Sequence, residues 1–140
     1  MPTCFVDTNI LVYAVDYESK EKNAVASKLV SDAFAGEFEL ALSNQVLAEF
    51  LFVSTKRGYL DSQRLVQMAR DILKSEKFIK ISYSFSAILL AAQSGKPNRF
   101  WDALIAATMI ENGVDAIITE NEKDFQSLGV KTINPFKKIN

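Results

Sequence analysis

The sequence predicts an α/β fold in which a central parallel sheet of about five strands lies between two layers of helices. Three observations carry this expectation. Short apolar runs alternate with longer segments whose apolar residues recur at helical spacing. Glycines fall at the ends of the helical segments, with Gly36, Gly58 and Gly113 as breakers. Asp7 closes the apolar run Cys4-Phe5-Val6 and is followed at once by a new apolar segment, so a carboxylate sits at a strand-to-helix junction. Ligands of α/β sheets bind at that carboxyl edge.

Taken in order, residues 3–6 are expected as the first, central strand and residues 9–15 as a short helix capped by Thr8 or Asn9. Residues 19–35 carry Val25, Leu29, Val30, Ala33 and Phe34 at helical spacing. Residues 38–42 form a second strand, and Ser43-Asn44 cap a helix over 45–56 that stops at Gly58. Asp61 caps a helix over 62–75 with Leu65, Met68, Ala69, Ile72 and Leu73 inward. A third strand over 78–81 and a helix over 84–93 precede the Gly95-Lys96-Pro97 break. Asn98 then caps a helix over 99–112, Gly113 ends it, and strands follow at 116–119 and 131–133. Right-handed crossovers place all strand carboxyl ends on one edge, so Asp7 and the Thr119-Glu120-Asn121 turn share a side.

Composition narrows the chemistry. The chain has 140 residues, 49% hydrophobic and 24% charged, which is expected to make one domain over residues 1–140. Its apolar runs, such as residues 10–15 and 87–92, fall short of the ~20 residues that cross a bilayer. No basic stretch precedes the first apolar run, so neither a membrane partner nor a signal peptide is expected, and the protein reads as cytoplasmic. The single cysteine, Cys4, is expected to be a buried thiol without a chemical role. With no histidine, a His-based triad, a His general base and a typical structural zinc site are all excluded. A net charge of -1 gives no global attraction for polyanions, so any nucleic-acid surface is local.

Two further acids interrupt apolar stretches. Glu49 lies among Val46, Leu47, Phe50, Leu51, Phe52 and Val53, and Asp102 among Phe100, Trp101, Leu104 and Ile105. Singly, Asp7 reads as a cap, Glu49 as a solvated helix residue and Asp102 as a first-turn acid. Jointly they suggest a site. Two carboxylates ~4 Å apart repel by about 4 kcal/mol at an effective dielectric of ~20, so three converging acids cost ~10 kcal/mol. That rivals the ~5–15 kcal/mol stability of a whole domain. Convergence therefore requires a cation, a basic partner or a retained proton. All-oxygen ligation without Cys or His suits Mg²⁺ or Mn²⁺.

These residues resemble a family. Residues 5–14 (FVDTNILVYA) are similar to the opening of PIN domains, especially the VapC-type ribonuclease toxins of toxin-antitoxin pairs. Leu47-Ala48-Glu49-Phe50, residues 100–107 (FWDALIAA) and residues 118–125 (ITENEKDF) resemble the second, third and fourth motifs, in order across nearly the whole chain. The resemblance implies that Asp7, Glu49 and Asp102 are metal ligands or support them, with Thr8 or Asn9 holding the first acid. It implies Asn121 at the fourth position, with Glu120 and Asp124 as alternatives. Phe50, Phe52 and Tyr59 read either as core residues or, as the resemblance implies, as part of a surface that joins a homodimer or holds an antitoxin peptide, and C2 pairing is the commonest oligomer.

The expected reaction is hydrolysis of an RNA phosphodiester with a bound divalent ion, leaving 5′-phosphate and 3′-hydroxyl ends. Thr8, Asn9, Lys56, Arg57 and Arg99 are the candidate substrate contacts, with Lys96 nearby; the competing reading makes the cations solvated surface charges. A haloacid-dehalogenase-type phosphatase needs an aspartate where Asn9 stands, and a receiver domain needs paired acids that are absent. The alternative function is a PIN-like domain that binds RNA or protein without cutting.

Overall fold

The computed structural model describes residues 3–137. Five strands, β1 (Cys4–Val6), β2 (Leu40–Ser43), β3 (Phe78–Ile81), β4 (Ala116–Ile118) and β5 (Lys131–Ile133), form one sheet in the order β3-β2-β1-β4-β5. Every neighbouring pair is parallel, and Phe5 of β1 stands opposite Ala41 of β2 and Ile117 of β4. The chain runs outward from β1 through β2 to β3, then returns to β4 on the other side. The β1/β4 boundary is thus the topological switch point, where an open sheet leaves a crevice at its carboxyl edge.

Helices α1 (Thr8–Val15), α2 (Lys20–Phe34), α3 (Asn44–Arg57) and α4 (Ser62–Lys74) pack as one group. Helices α5 (Phe85–Ala92), α6 (Phe100–Glu111) and α7 (Glu122–Gln126) form the other, completing the expected α/β/α layers. The strands read as near-continuous apolar runs because both faces are covered. Phe5, Leu40, Ile117 and the helix residues Ile10, Leu11, Val46 and Phe50 are fully excluded from solvent. Gly58 ends α3 in the left-handed conformation (φ 68°), which glycine adopts without Cβ strain.

Local chemistry moves several boundaries. The cap of α1 is Asp7 itself, whose carboxylate accepts from the Thr8 N–H, so neither Thr8 nor Asn9 is the cap. The helix expected over 99–112 begins instead with a 3₁₀ turn at Pro97–Arg99, and Asn98 lies inside that turn rather than capping α6. Proline presets the backbone for a helical first turn and needs no N–H partner there. The short helix α7 was not expected, because five residues are too few to show a helical period. Leu73, expected inward, is 52% exposed at the last turn of α4. Cys4 is only half-buried at the start of β1, and burial, with a smaller contribution from Asp115, raises its thiol pKa.

Candidate active site

The end of β1 delivers Asp7 into the switch-point crevice, and neighbouring elements hold it there. Asp7 is 6% exposed. Its N–H donates to the Ile118 carbonyl of β4 at 3.0 Å, which ties its backbone to the adjacent strand. Its Oδ1 accepts from the Thr8 N–H at 2.8 Å, and its Oδ2 accepts from the Thr119 hydroxyl at 2.7 Å and the Asn9 amide at 3.4 Å. Burial pushes its pKa up to about 6 against the pull of the Thr119 and Thr8 hydrogen bonds, and the charges of Asp102 and Glu49 add to the rise.

Glu49 reaches the crevice from the second turn of α3, a helix started by the Ser43 hydroxyl accepting from the Val46 N–H at 3.2 Å. It is half-buried. Its Oε1 accepts from the Gln45 amide at 2.7 Å, and its Oε2 meets the Thr8 hydroxyl at 3.5 Å. The same Gln45 amide donates to the Trp101 carbonyl at 3.1 Å, which couples α3 to the start of α6. Asp102, in the first turn of α6, is also half-buried, and its pKa is raised by burial, then by the charges of Asp124 and Glu49, while Arg99 opposes the rise.

Asp7, Thr8, Asn9, Glu49, Asp102 and Asn121 line one crevice of about 350 Å³. Sequence positions more than a hundred residues apart are brought together there by the parallel sheet. Arg57 lines the same crevice from the last turn of α3. The other candidate cations are placed differently. Arg99 donates to the Ser127 hydroxyl and, at 3.5 Å, to the Asp124 carbonyl, so it joins α6 to α7. Lys56 lies 5.9 Å from the centre of the Phe52 ring, and Lys96 lines a separate hollow beside Phe100.

The three alternatives for the fourth position are distinguished by their neighbours. Glu120 also lines the crevice, where it is engaged by the Lys22 ammonium and by the Tyr13 hydroxyl, which donates at 3.1 Å. Asn121 lines the crevice, and its N–H donates to the Thr119 hydroxyl oxygen at 3.0 Å. Asp124 is exposed on α7 but close enough for its charge to raise the pKa of Asp102. Gln45 and Lys22 do not stand out in the sequence, and Thr119 does so only as part of the turn on Asp7's side, not as a site residue. Thr119 stands at a strand end, as Asp7 does, and that parallel was its one legible signal. Gln45 and Lys22 act on Glu49 and Glu120 through contacts that no motif spacing encodes.

The donor set is oxygen throughout, and two of its carboxyls have raised pKa values that a hard cation would lower. Asn9 Oδ1 is buried in the same lining without a hydrogen-bond partner, a further hard oxygen. The residue types therefore fit a divalent ion. Among the described residues no three acidic side chains already stand as a metal-holding group.

Known proteins share this fold. The Mycobacterium tuberculosis toxin VapC20, described as sarcin-ricin loop cleaving, superposes with a TM-score of 0.68 at 19% identity, over 91% of this chain and 95% of that one. FitAcB from Neisseria gonorrhoeae gives a TM-score of 0.63 at 19% identity, over 96% and 99% of the two chains. A toxin-antitoxin complex from Klebsiella pneumoniae gives 0.61 at 23% identity, over 94% and 97%. These likenesses show the fold. No curated protein matches the chain by sequence. The sequence profile of the PIN domain matches residues 4–131, nearly the whole of the described fold, and the chain belongs to the PIN domain family.

Proposed function

We propose that this protein is a divalent-metal-dependent endoribonuclease and the toxin of a toxin-antitoxin pair. The observation that carries the reading is the convergence of Asp7, Glu49, Asp102 and Asn121 on one crevice at the switch point of the sheet. Asp7, Glu49 and Asp102 would hold Mg²⁺ or Mn²⁺, which supplies charge neutralisation and an acidified water for phosphodiester hydrolysis. Thr119 and Thr8 hold the Asp7 carboxylate, and Gln45 holds Glu49. Arg57 at the crevice wall is the phosphate contact. With no imidazole to activate a ribose hydroxyl, water is the nucleophile and the ends are 5′-phosphate and 3′-hydroxyl.

The likeness to toxins and toxin-antitoxin complexes supports the antitoxin partner. Homodimerisation is part of the same proposal, and light scattering at micromolar concentration checks it, with a monomer counting against it. Among the described residues no helix is long and apolar enough to cross a membrane. The decisive experiment is cleavage of single-stranded RNA with Mg²⁺ by the protein and its Asp102→Asn variant. Cleavage by the parent and its loss in the variant supports the assignment; equal cleavage removes Asp102 from the chemistry, and cyclic 2′,3′-phosphate ends contradict the hydrolytic route. The non-cutting alternative draws on the pairing of Glu120 with Lys22 and on an amide at position 121. Mg²⁺ titration by calorimetry separates the two, since a binder without the metal site gives no heat.

A further inference from the structure

We propose that a second groove, contiguous with the acid crevice, is a nucleobase subsite that stacks a base of the RNA next to the scissile phosphate; the inference rests on the nuclease reading above. The groove holds about 830 Å³ and is walled by Phe52 of α3, Tyr83 and Trp101 of α6. Such volumes are typical of small-ligand sites. Phe52 is 68% exposed and Trp101 59%, so two large rings face solvent where burial would otherwise be favourable.

Three observations select a nucleotide as the occupant. First, the groove shares Glu49 and Val53 with the acid crevice, and Trp101 is adjacent in sequence to Asp102, so a strand with its phosphate at the acids carries a neighbouring base to the aromatic wall. Second, cations stand beside the aromatic wall although Glu49 is the one charged residue in the groove lining: the Lys56 ammonium lies 5.9 Å from the Phe52 ring centre, and Arg57, next on the helix, lines the adjoining acid crevice. Aromatic faces beside positive charge are the recurring means of holding single-stranded nucleic acid, whereas an apolar peptide gains nothing from the lysine. Third, Gln45 joins the two sites physically. Its amide holds both Glu49 and the Trp101 backbone carbonyl, which ties the start of α6, where the ring is carried, to the acid of α3, and its buried Oε1 is left without a partner. Base stacking is indifferent to base identity, so the subsite adds affinity and register more than sequence choice.

Trp101 is the only tryptophan in the chain, so its emission reports directly on the groove. The experiment titrates the full-length protein, with chelator present so that nothing is cleaved, using a short single-stranded RNA and an abasic ribose-phosphate oligomer of equal length. The RNA quenches Trp101 and binds more tightly than the abasic oligomer. Phe52→Ala weakens RNA binding by about 5- to 150-fold, the range of one lost stacking contact, and leaves abasic binding unchanged. Phe85→Ala, an exposed ring outside the groove lining, changes neither. Equal affinity for the two oligomers overturns the proposal. So does a Trp101 emission that ignores RNA but shifts to the blue with rising protein concentration, which assigns the groove to a second copy. Metal-dependent cleavage without any base effect at Trp101 sinks the subsite alone; a base effect without cleavage sinks the nuclease and leaves the groove as a base-binding site.

Discussion

Replacing Asp7 with asparagine is expected to stabilise the metal-free protein while removing its activity. The carboxyl is buried at the end of β1, and its pKa is pushed up to about 6 from an ordinary 3.8. A raised acid pKa means that the folded state holds the proton more tightly than the unfolded chain. Its contribution is therefore most favourable below pH ~3.8 and is lost as pH rises through ~6. The full difference corresponds to about 3 kcal/mol above pH ~7. Asparagine removes the buried charge, keeps one oxygen for the Thr8 N–H and presents an amide to the Thr119 hydroxyl, which rotates to accept. The Asn9 contact is lost, for about 1 kcal/mol. The net gain is about 2 kcal/mol at pH ~7.5, or roughly 6–8 °C in Tm for a domain of this size. Urea unfolding with chelator at several pH values measures it. The reasoning fails if Asp7→Asn is less stable than the parent at neutral pH, or if the gap between them stays constant down to pH ~4. Saturating Mg²⁺ closes the gap and reverses it by stabilising the parent selectively, by about 2.7 kcal/mol at a hundredfold excess over Kd.

Other substitutions test the surrounding positions. Thr119→Val deletes the hydroxyl that donates to Asp7 and accepts from Asn121, so stability falls by about 1–3 kcal/mol and the acid limb of the cleavage profile moves to higher pH. Gln45→Leu frees Glu49 and Trp101 together, and a variant that still folds by circular dichroism is expected to lose RNA cleavage more than stability. Lys22→Ala breaks a partly exposed pair with Glu120, which costs under about 1 kcal/mol; unchanged Mg²⁺ affinity shows that Glu120 lies outside the metal site. On α3, Phe50→Ala costs about 3–5 kcal/mol by denaturant melting, while Phe52→Ala, two residues on, stays within about 0.5 kcal/mol.

The alternation of apolar runs and helical periods determined the layered α/β architecture, because strand burial and helix amphipathicity leave their periods in the chain itself. Asp7, Glu49 and Asp102 stood out as site candidates for the same reason: a charge inside an apolar stretch conflicts with local burial, and such conflicts collect at functional sites. What surrounds those acids was decided only by folding. Thr119 reaches Asp7 because β4 lies beside β1, Lys22 finds Glu120 across 98 positions, and Gln45 bridges Glu49 to Trp101 across the gap between α3 and α6. Partners set by strand order leave no spacing to read. The exposure of Phe52 and Trp101 was hidden likewise, since their neighbours in sequence are as apolar as the core, and only the packing of α3 on α1 and α4 and of α6 on α5 determined which rings face solvent.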